Sequence, residues 1–462
     1  MLRRIGSAAG SAAAASHTGA LAGSDAVFDV VLRNAGAIRV GSIEQLIEVG
    51  HALAVVGAER LPRGHRVAVL TASGGFGVLL ADAASAQGLA LPPLAHETQQ
   101  RVLAAVPLAS PANPVDMTAQ VSSRPEVLAQ VLGAVVQDAA CDALILQSAN
   151  AFHMPRLRDV FLAALQQVRA AHPSRLILLC CRAPREVAQQ LNAMGYPTVE
   201  GIDAACATLA ALVKAGALQT PATACDVAST APVQPLPAEA FAGEAAAKAV
   251  LAQAGLPVLR EATATTWLDA LAAAQVIGFP VVLKIVSPDI AHKTEVGGVV
   301  VGVRDVEQLR HDYDAMLARV AQRAPHAHIS GVLVAQMAPA GTELILGTTT
   351  DPVFGPMVMV GLGGIYAEVF KDVALQTAPV TQAQATAMLR SLKTFALLDG
   401  ARGRPRADVP AAAHAVASLS RFAVAHAGTV AQIDVNPLVV LDEGEGAYAL
   451  DALLVPHTKG SQ

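Results

Sequence analysis

The sequence predicts an α/β protein of more than one domain, on three observations. Short apolar runs rich in Val, Ile and Leu alternate with helix-patterned stretches from about residue 61 to 217, the pattern of a doubly wound sheet. Residues 218–237, LQTPATACDVASTAPVQPLP, are rich in Pro, Thr, Ser and Ala and carry one charge, which reads as a linker. Beyond it, strands and helices resume with a different set of loops. At 462 residues the chain exceeds one ordinary core, so two or three domains are expected.

Taken in order, Ser24 or Asp25 can cap a helix through AVFDVVLRNAG that stops at Gly36. His17 then lies in a glycine-flanked loop just before a helix, a position that by itself more often means nothing. A second helix, SIEQLIEVGHALAVVG, has Ser42 as its cap. From His65 the pattern is strand (HRVAVLTA), glycine loop (SGGFG) and helix (VLLADAASAQG). Ser73, Gly74, Gly75 and Gly77 are candidates for a phosphate cradle, because glycines let the backbone approach and a helix start offers unpaired N–H groups. As a lone motif this one is weak. PANPVDMTA is read as a turn bringing Asp116 near the following helix. CDALILQSA and SRLILLCC are two more buried strands, and TVEGIDAACATLAALVKAG closes the unit.

After the linker come a helix, AEAFAGEAAAKAVLAQAG, a turn, LPVLREATATT, and a helix, DALAAAQVIG. FPVVLKIVSPDIAHKTEVGGVVVGV follows: a β-branched strand with Lys284 inside it, a polar loop bearing His292, two glycines and a second strand. A lysine in a buried strand is costly unless an anion meets it. The stretch reads as a flap able to close on a nucleotide triphosphate, and taken alone it is equally a plain hairpin with a surface lysine and histidine. The helix DVEQLRHDYDAMLARVAQRA, strands through GTELILG, a helical TQAQATAMLRSLKTFALL, the loop DGARGRPRAD and a further helix lead to a terminal hairpin of two strands, AQIDVNPLVVLDEGEGAYALDALLV. Asn436 and Asp451 lie on those two strands and can face one another. An amide oxygen and a carboxylate without Cys or His suit Mg²⁺, which keeps waters and phosphate oxygens as its other ligands; an exposed hairpin face is the alternative. Arg402 is a candidate phosphate clamp, since its planar fork matches phosphate oxygens, or else a solvated loop arginine.

Composition excludes several classes. A net charge of -5 with no basic stripe argues against nucleic acid as the main partner. No apolar run reads as a membrane span. The cysteines at 141, 180, 181, 206 and 225 show no CxxC or zinc spacing, which suits buried thiols in a reducing cytoplasm, the expected location. MLRRIGSAAGSAAAAS lacks the apolar region of a signal peptide and only faintly resembles a transit peptide.

Four stretches of the C-terminal half, VVLKIVSPDIAHKTEVGGV, GTELILGTTTDPVFGPMVMVGLGG, LLDGARGRPRAD and IDVNPLVV, occur in an order that resembles an ATP-grasp domain over about 238–456. With SHTGALAGSDAVFDVVLRNAGAIRV, SGGFGVLLAD and NPVD upstream, nearly the whole chain resembles the ADP-forming (NDP-forming) acyl-CoA synthetases, or acetate–CoA ligases, relatives of succinyl-CoA synthetase. The resemblance implies a remnant of the phosphohistidine-bearing domain over 1–60, a flavodoxin-like domain over 61–217, the linker, and the ATP-grasp domain. It places His17 at the phosphorylated histidine of the family's HxGA loop, and His292 at a second histidine that shuttles the phosphate to the nucleotide. Lys284 falls at the lysine on the nucleotide phosphates, Gln336 and Met337 at the hinge beside adenine, and Asn436 and Asp451 at the Mg²⁺ ligands. Ser73–Gly77 falls at the helix start that cradles the phosphohistidine. Glu343 and Arg402 sit in family motifs as nucleotide-binding and catalytic candidates.

ATP or ADP, Mg²⁺ and CoA are the implied cofactors and substrates, with a small carboxylic acid whose identity is open. The implied relay suits histidine, whose neutral ring nitrogen is nucleophilic near pH 7. Against the family pattern, Met1 stands only sixteen residues ahead of His17, and the CoA-binding Rossmann domain has no counterpart. The opening residues read as the tail of that domain, so a CoA-binding partner subunit and an oligomer are expected. The competing expectation is a catalytically incomplete regulatory or scaffold module, such as the ligase-like region of a protein acetyltransferase system, or a truncated gene product.

Overall fold

The computed structural model describes residues 2–3, 24–118, 124, 127–218, 236–290, 293–363 and 372–457. Two compact units emerge: Met1–Ala22 with Leu32–Ala224, and Gly23–Val31 with Cys225–Gln462. His17, His292 and Cys225 lie outside the described residues, as does the side chain of Arg402.

In the first unit, β1 (Leu2–Arg3) pairs in parallel with β2 (Arg39–Val40). Helix α1 is Asp25–Asn34, and α2 is Ile43–Val56, capped as expected by Ser42, whose hydroxyl accepts from the Gln45 N–H. A five-stranded parallel sheet follows, built from β3 (Val67–Thr71), β4 (Val115–Asp116), β5 (Ala143–Ala149), β6 (Leu176–Cys181) and β7 (Thr198–Val199). Its order is β4-β3-β5-β6-β7, the flavodoxin-like doubly wound arrangement. Between the strands run α3 (Gly74–Ala86), α4 (His96–Ala105), α5 (Leu128–Gln137), α6 (Pro155–Ala171) and α7 (Arg185–Ala193), and α8 (Ile202–Leu218) closes the unit.

The strand period of two sorts this sheet into two cores. Leu70, Leu144, Leu146, Ile177 and Leu179 face α4, α5 and α6, whereas Val67, Val69, Ile145 and Leu178 face α2, α3 and α8. Nearly every one of these side chains is fully buried, each contributing roughly 1.5–3 kcal/mol against exposure.

SGGFG is not a loop. Ser73 is the N-cap residue and the glycines form the first turn of α3, at the carboxyl end of β3, where the sheet order reverses. Asp116 lies beside that helix: a Cβ on Gly74 would stand 3.1 Å from Asp116 Oδ2.

The second unit contains two sheets. The smaller, in the order β10-β9-β11-β8, joins β8 (Glu261–Ala264), β9 (Val281–Val286), β10 (Val299–Val303) and β11 (Gly331–Gln336) as antiparallel neighbours. Glu261–Ala264, expected to be a turn, is therefore a strand. Helices α10 (Trp267–Ile277) and α11 (Val306–Arg323) cover one face, with Leu283, Ile285, Val332 and Met316 at its core. A reciprocal capping box starts α10: Asp269 N–H donates to Thr266 Oγ1, and Thr266 N–H to Asp269 Oδ2.

The larger sheet comprises β12 (Thr342–Asp351), β13 (Gly355–Leu362), β14 (Val373–Thr377), β15 (Val430–Val440), β16 (Ala447–Ala449) and β17 (Ala452–Pro456). It runs β14-β13-β12-β15-β16, with β17 also on β15. The terminal hairpin thus has a broken return strand, interrupted at Leu450 and Asp451. Helices α9 (Glu244–Gln253), α12 (Gln382–Arg390) and α13 (Val409–Ala425) pack on this sheet. The early part of α1 joins the same unit, with Val27 and Val30 against Met357 and Phe28 edge-on to Phe354 at 5.7 Å.

The expected helix over 238–255 is split. A 3₁₀ turn, Ala238–Phe241, ends at Gly243, whose φ of 142° suits glycine, and α9 then begins at Glu244.

Candidate functional site

A cleft of about 730 Å³ opens in the second unit between its two sheets. Six residues singled out from the sequence, Lys284, Gln336, Met337, Glu343, Asn436 and Asp451, all line it. They arrive from β9, the end of β11, β12, β15 and the β16–β17 break, so the fold gathers positions up to 167 residues apart (Lys284 to Asp451). Ser73, Gly74, Gly75 and Gly77 belong to the first unit instead.

One wall is apolar, formed by Leu259, Val282, Val299, Val301 and Ala335, and ends at the half-exposed Met337. Gln336 N–H donates to the Arg260 carbonyl at 2.8 Å, and Arg260 Nε donates to Gln336 Oε1 at 3.3 Å, which fixes the end of β11. An apolar slot beside an ordered strand edge suits a flat heterocycle.

The opposite wall is ionic. Lys284 Nζ donates to Glu244 Oε1 at 2.6 Å and to the Leu450 carbonyl at 2.8 Å. The anion that meets this strand lysine is thus a carboxylate of the same chain. Lys248 Nζ, from a side chain only 4% exposed, donates to Glu244 Oε1 at 2.8 Å, Glu261 Oε2 at 2.5 Å and the Leu450 carbonyl at 3.0 Å. Lys293 Nζ lies 3.0 Å from Glu244 Oε2, an oxygen with no partner of hydrogen-bond geometry, so this contact is an ion pair without a formed hydrogen bond. Lys293 also approaches Asp451 Oδ2 at 4.0 Å.

These contacts set the titration of the wall. Burial works against ionising Glu244, but Lys284 and Lys248 overcome it and hold the carboxyl at about 2. Burial likewise opposes the charge on Lys248, and Glu244 and Glu261 outweigh it, so its pKa is raised. Asp451 goes the other way: burial and then the Glu244 charge push its carboxyl up, against the pull of Lys284, Lys293 and Lys248.

The donor chemistry fits Mg²⁺ at Asn436 and Asp451. Both line the cleft, and the Asn436 N–H donates to the Asp451 carbonyl at 3.2 Å, which sets the two residues side by side. A hard cation there would offset the cost of the partly desolvated Asp451 charge, and two protein oxygens leave the other positions for water and phosphate. Among the described residues, no cluster of three or more His, Cys, Asp or Glu side chains forms a self-contained metal cage.

The loop between β9 and β10 is tight where its glycines stand. Gly297 has φ +71°, and a Cβ on Gly298 would lie 2.6 Å from Ile285 Cγ2. Ile285 N–H donates to the Gly298 carbonyl at 2.8 Å, which turns the chain back into β10.

Sequence reasoning missed Glu244, Lys248, Glu261 and Lys293. A signal for the first two was present: in GEAAAKAV they are the charges of an otherwise alanine-rich turn, spaced i, i+4. No described helix is long and apolar enough to cross a membrane.

A family profile described as an ATP-grasp domain matches residues 239–455, and one described as a succinyl-CoA ligase like flavodoxin domain matches residues 1–53. The chain is 30% identical to 4-hydroxybutyrate–CoA ligase (ADP-forming) of Nitrosopumilus maritimus, over 96% of this chain and 64% of that protein. It is 33% identical to acetate–CoA ligase (ADP-forming) I of Archaeoglobus fulgidus, over 95% and 63%. The beta subunit of acetate–CoA ligase (ADP-forming) II of Pyrococcus furiosus is 37% identical over 45% of this chain and 89% of that subunit. The chain therefore spans somewhat less than two thirds of the first two relatives' length. With the cleft, the two-sheet unit and these identities together, the chain belongs to the ADP-forming acetate–CoA (acyl-CoA) ligase family.

Proposed function

We propose that this chain is the nucleotide-binding part of an ADP-forming acid–CoA ligase, coupling ATP and ADP to the interconversion of an acyl-CoA and its carboxylic acid. The observation that carries this reading is the convergence of Lys284, Gln336, Met337, Glu343, Asn436 and Asp451 on one cleft with an apolar slot and a lysine wall. In it, the base lies along the apolar wall against the end of β11, and Lys284 and Lys293 hold the phosphates. Asn436 and Asp451 hold Mg²⁺, which when bound screens the phosphate charge. Glu343 and Arg402 complete the nucleotide and phosphate contacts.

In the acid-forming direction, phosphate attacks the thioester carbonyl of acyl-CoA, releasing CoA and leaving acyl phosphate. His17 takes the phosphoryl group as the acid departs, with Ser73–Gly77 cradling the phosphohistidine. His292 then relays the group to the terminal oxygen of ADP, giving ATP, and the run reverses for acid activation. Charge and position are the protein's contributions to each transfer. CoA binding falls to a partner subunit or a preceding domain; a relative whose beta subunit is a separate chain supports a divided enzyme.

The test is incubation with γ-³²P-ATP and Mg²⁺, comparing wild type with His17→Ala and His292→Ala. Acid-labile, alkali-stable label that disappears in His292→Ala supports the relay. Label stable in acid and base, or none, overturns it and favours a module without the chemistry. Stabilisation of the fold by ATP should disappear in Lys284→Ala.

A further inference from the structure

Three lysines of the cleft wall, Lys248, Lys284 and Lys293, stand among five carboxylates: Glu261, Glu295, Glu343 and Asp451 on the lining, and Glu244 directly behind it. A polyphosphate alone thus meets a wall with more negative than positive charge. Glu244 differs from the other four. Its side chain is 8% exposed, so it is closed off from solvent, and its two oxygens lie 2.6 Å from Lys284 Nζ and 3.0 Å from Lys293 Nζ. The two lysines that would grip phosphate are therefore both engaged by one buried carboxylate, whose single charge is shared with Lys248 as well.

We infer that Glu244 is a positioning residue that makes nucleotide binding depend on the divalent cation. The inference rests on the nucleotide reading of the cleft. A metal-free diphosphate or triphosphate must draw Lys284 and Lys293 away from a carboxylate in a poorly solvated site, where charge interactions are strong. A nucleotide that carries its cation brings a counter-charge for Asp451, which lies only 4.0 Å from Lys293 and shares that lysine with Glu244. Satisfying Asp451 from the ligand side releases Lys293 toward phosphate, while Glu244 keeps Lys284 aligned from behind. The buried carboxylate thereby penalises the bare nucleotide and spares the metal complex.

The test is titration calorimetry of ADP with the full chain, in excess MgCl₂ and again in EDTA. The ratio of the two Kd values is the readout, because a purely structural defect weakens both equally. In Glu244→Gln the ratio should shrink by about tenfold, mainly through tighter binding of metal-free ADP, as expected for one unit charge at an effective dielectric near 20 with partial screening. Glu244→Asp, which keeps the charge but withdraws it by one methylene, should move the ratio the same way by a smaller factor and serves if the Gln variant does not fold. Glu295→Gln removes the same charge from an exposed position on the lining and should leave the ratio near wild type. An unchanged ratio in the Glu244 variants, an equal loss of both affinities, or an equal shift in Glu295→Gln overturns the role of Glu244. Absence of ADP binding by the wild type in both conditions overturns the nucleotide reading itself.

Discussion

Replacing Lys248 with methionine keeps most of the side-chain volume and removes a charge that is 3% exposed. The consequence can be worked out contact by contact. Glu244 keeps Lys284 at 2.6 Å and Lys293 at 3.0 Å, and the Leu450 carbonyl keeps Lys284 at 2.8 Å. Glu261, 14% exposed, is left with no cation within ion-pair reach among the described residues. Breaking a buried pair from one side costs about 3–5 kcal/mol, and because two of the three acceptors stay partnered the lower end, about 3 kcal/mol, applies. For a unit of this size that is roughly 6–12 °C in melting temperature. The single tryptophan, Trp267, lies in the second unit, edge-on to Tyr313 at 5.8 Å and under the Arg310 guanidinium, so its fluorescence follows that unit alone. Adding Glu261→Gln removes the stranded charge and should recover a good part of the loss, a coupling that a double-mutant cycle measures. A Lys248→Met cost below about 1 kcal/mol, or a double variant no better than the single one, would refute this account of the ionic wall.

Two further outcomes follow from the titration of buried groups. Glu244, held at about 2 against an ordinary 4.5, contributes stability that is fully present above pH 4.5 and drains away as pH falls toward 2; Trp267-monitored urea melts should show this acid limb in wild type and a flatter one in Glu244→Gln. Burial pushes the Cys141 and Cys180 thiols up to about 11 and those of Cys181 and Cys206 up to about 12, so in a Cys225→Ser background a thiol reagent at pH 8 should label the native protein negligibly and all four after denaturation.

The doubly wound sheet was legible because its strands are buried on both faces, and continuous apolar runs such as LILLCC have few other readings. The helix capped by Ser42 was legible too, since that serine is a local signal that tertiary packing did not override. Strand β8 was not, because Glu-Ala-Thr-Ala carries no β-branched run and is a strand only through its ladder with β11. The break between β16 and β17 was missed although a signal for it stood on the facing strand: the ladder on β15 lapses at Asn436 and Pro437, and a proline has no N–H to give to a ladder. In the cleft, residues inside recognisable motifs were found. Glu244 was not, since its importance depends on Gly243 splitting one apparent helix in two and on a lysine forty residues away.

That lapse in the ladder has a bearing on how the cleft tolerates mutation. The oxygen that anchors both Lys248 and Lys284 at position 450 is a main-chain atom, so no exchange of the leucine side chain deletes it. Only a change that re-registers the hairpin, for example a residue inserted between Ala449 and Ala452, would swing the acceptor out of reach. Engineering of these lysines should therefore treat loop length, rather than residue identity, as the variable to hold constant.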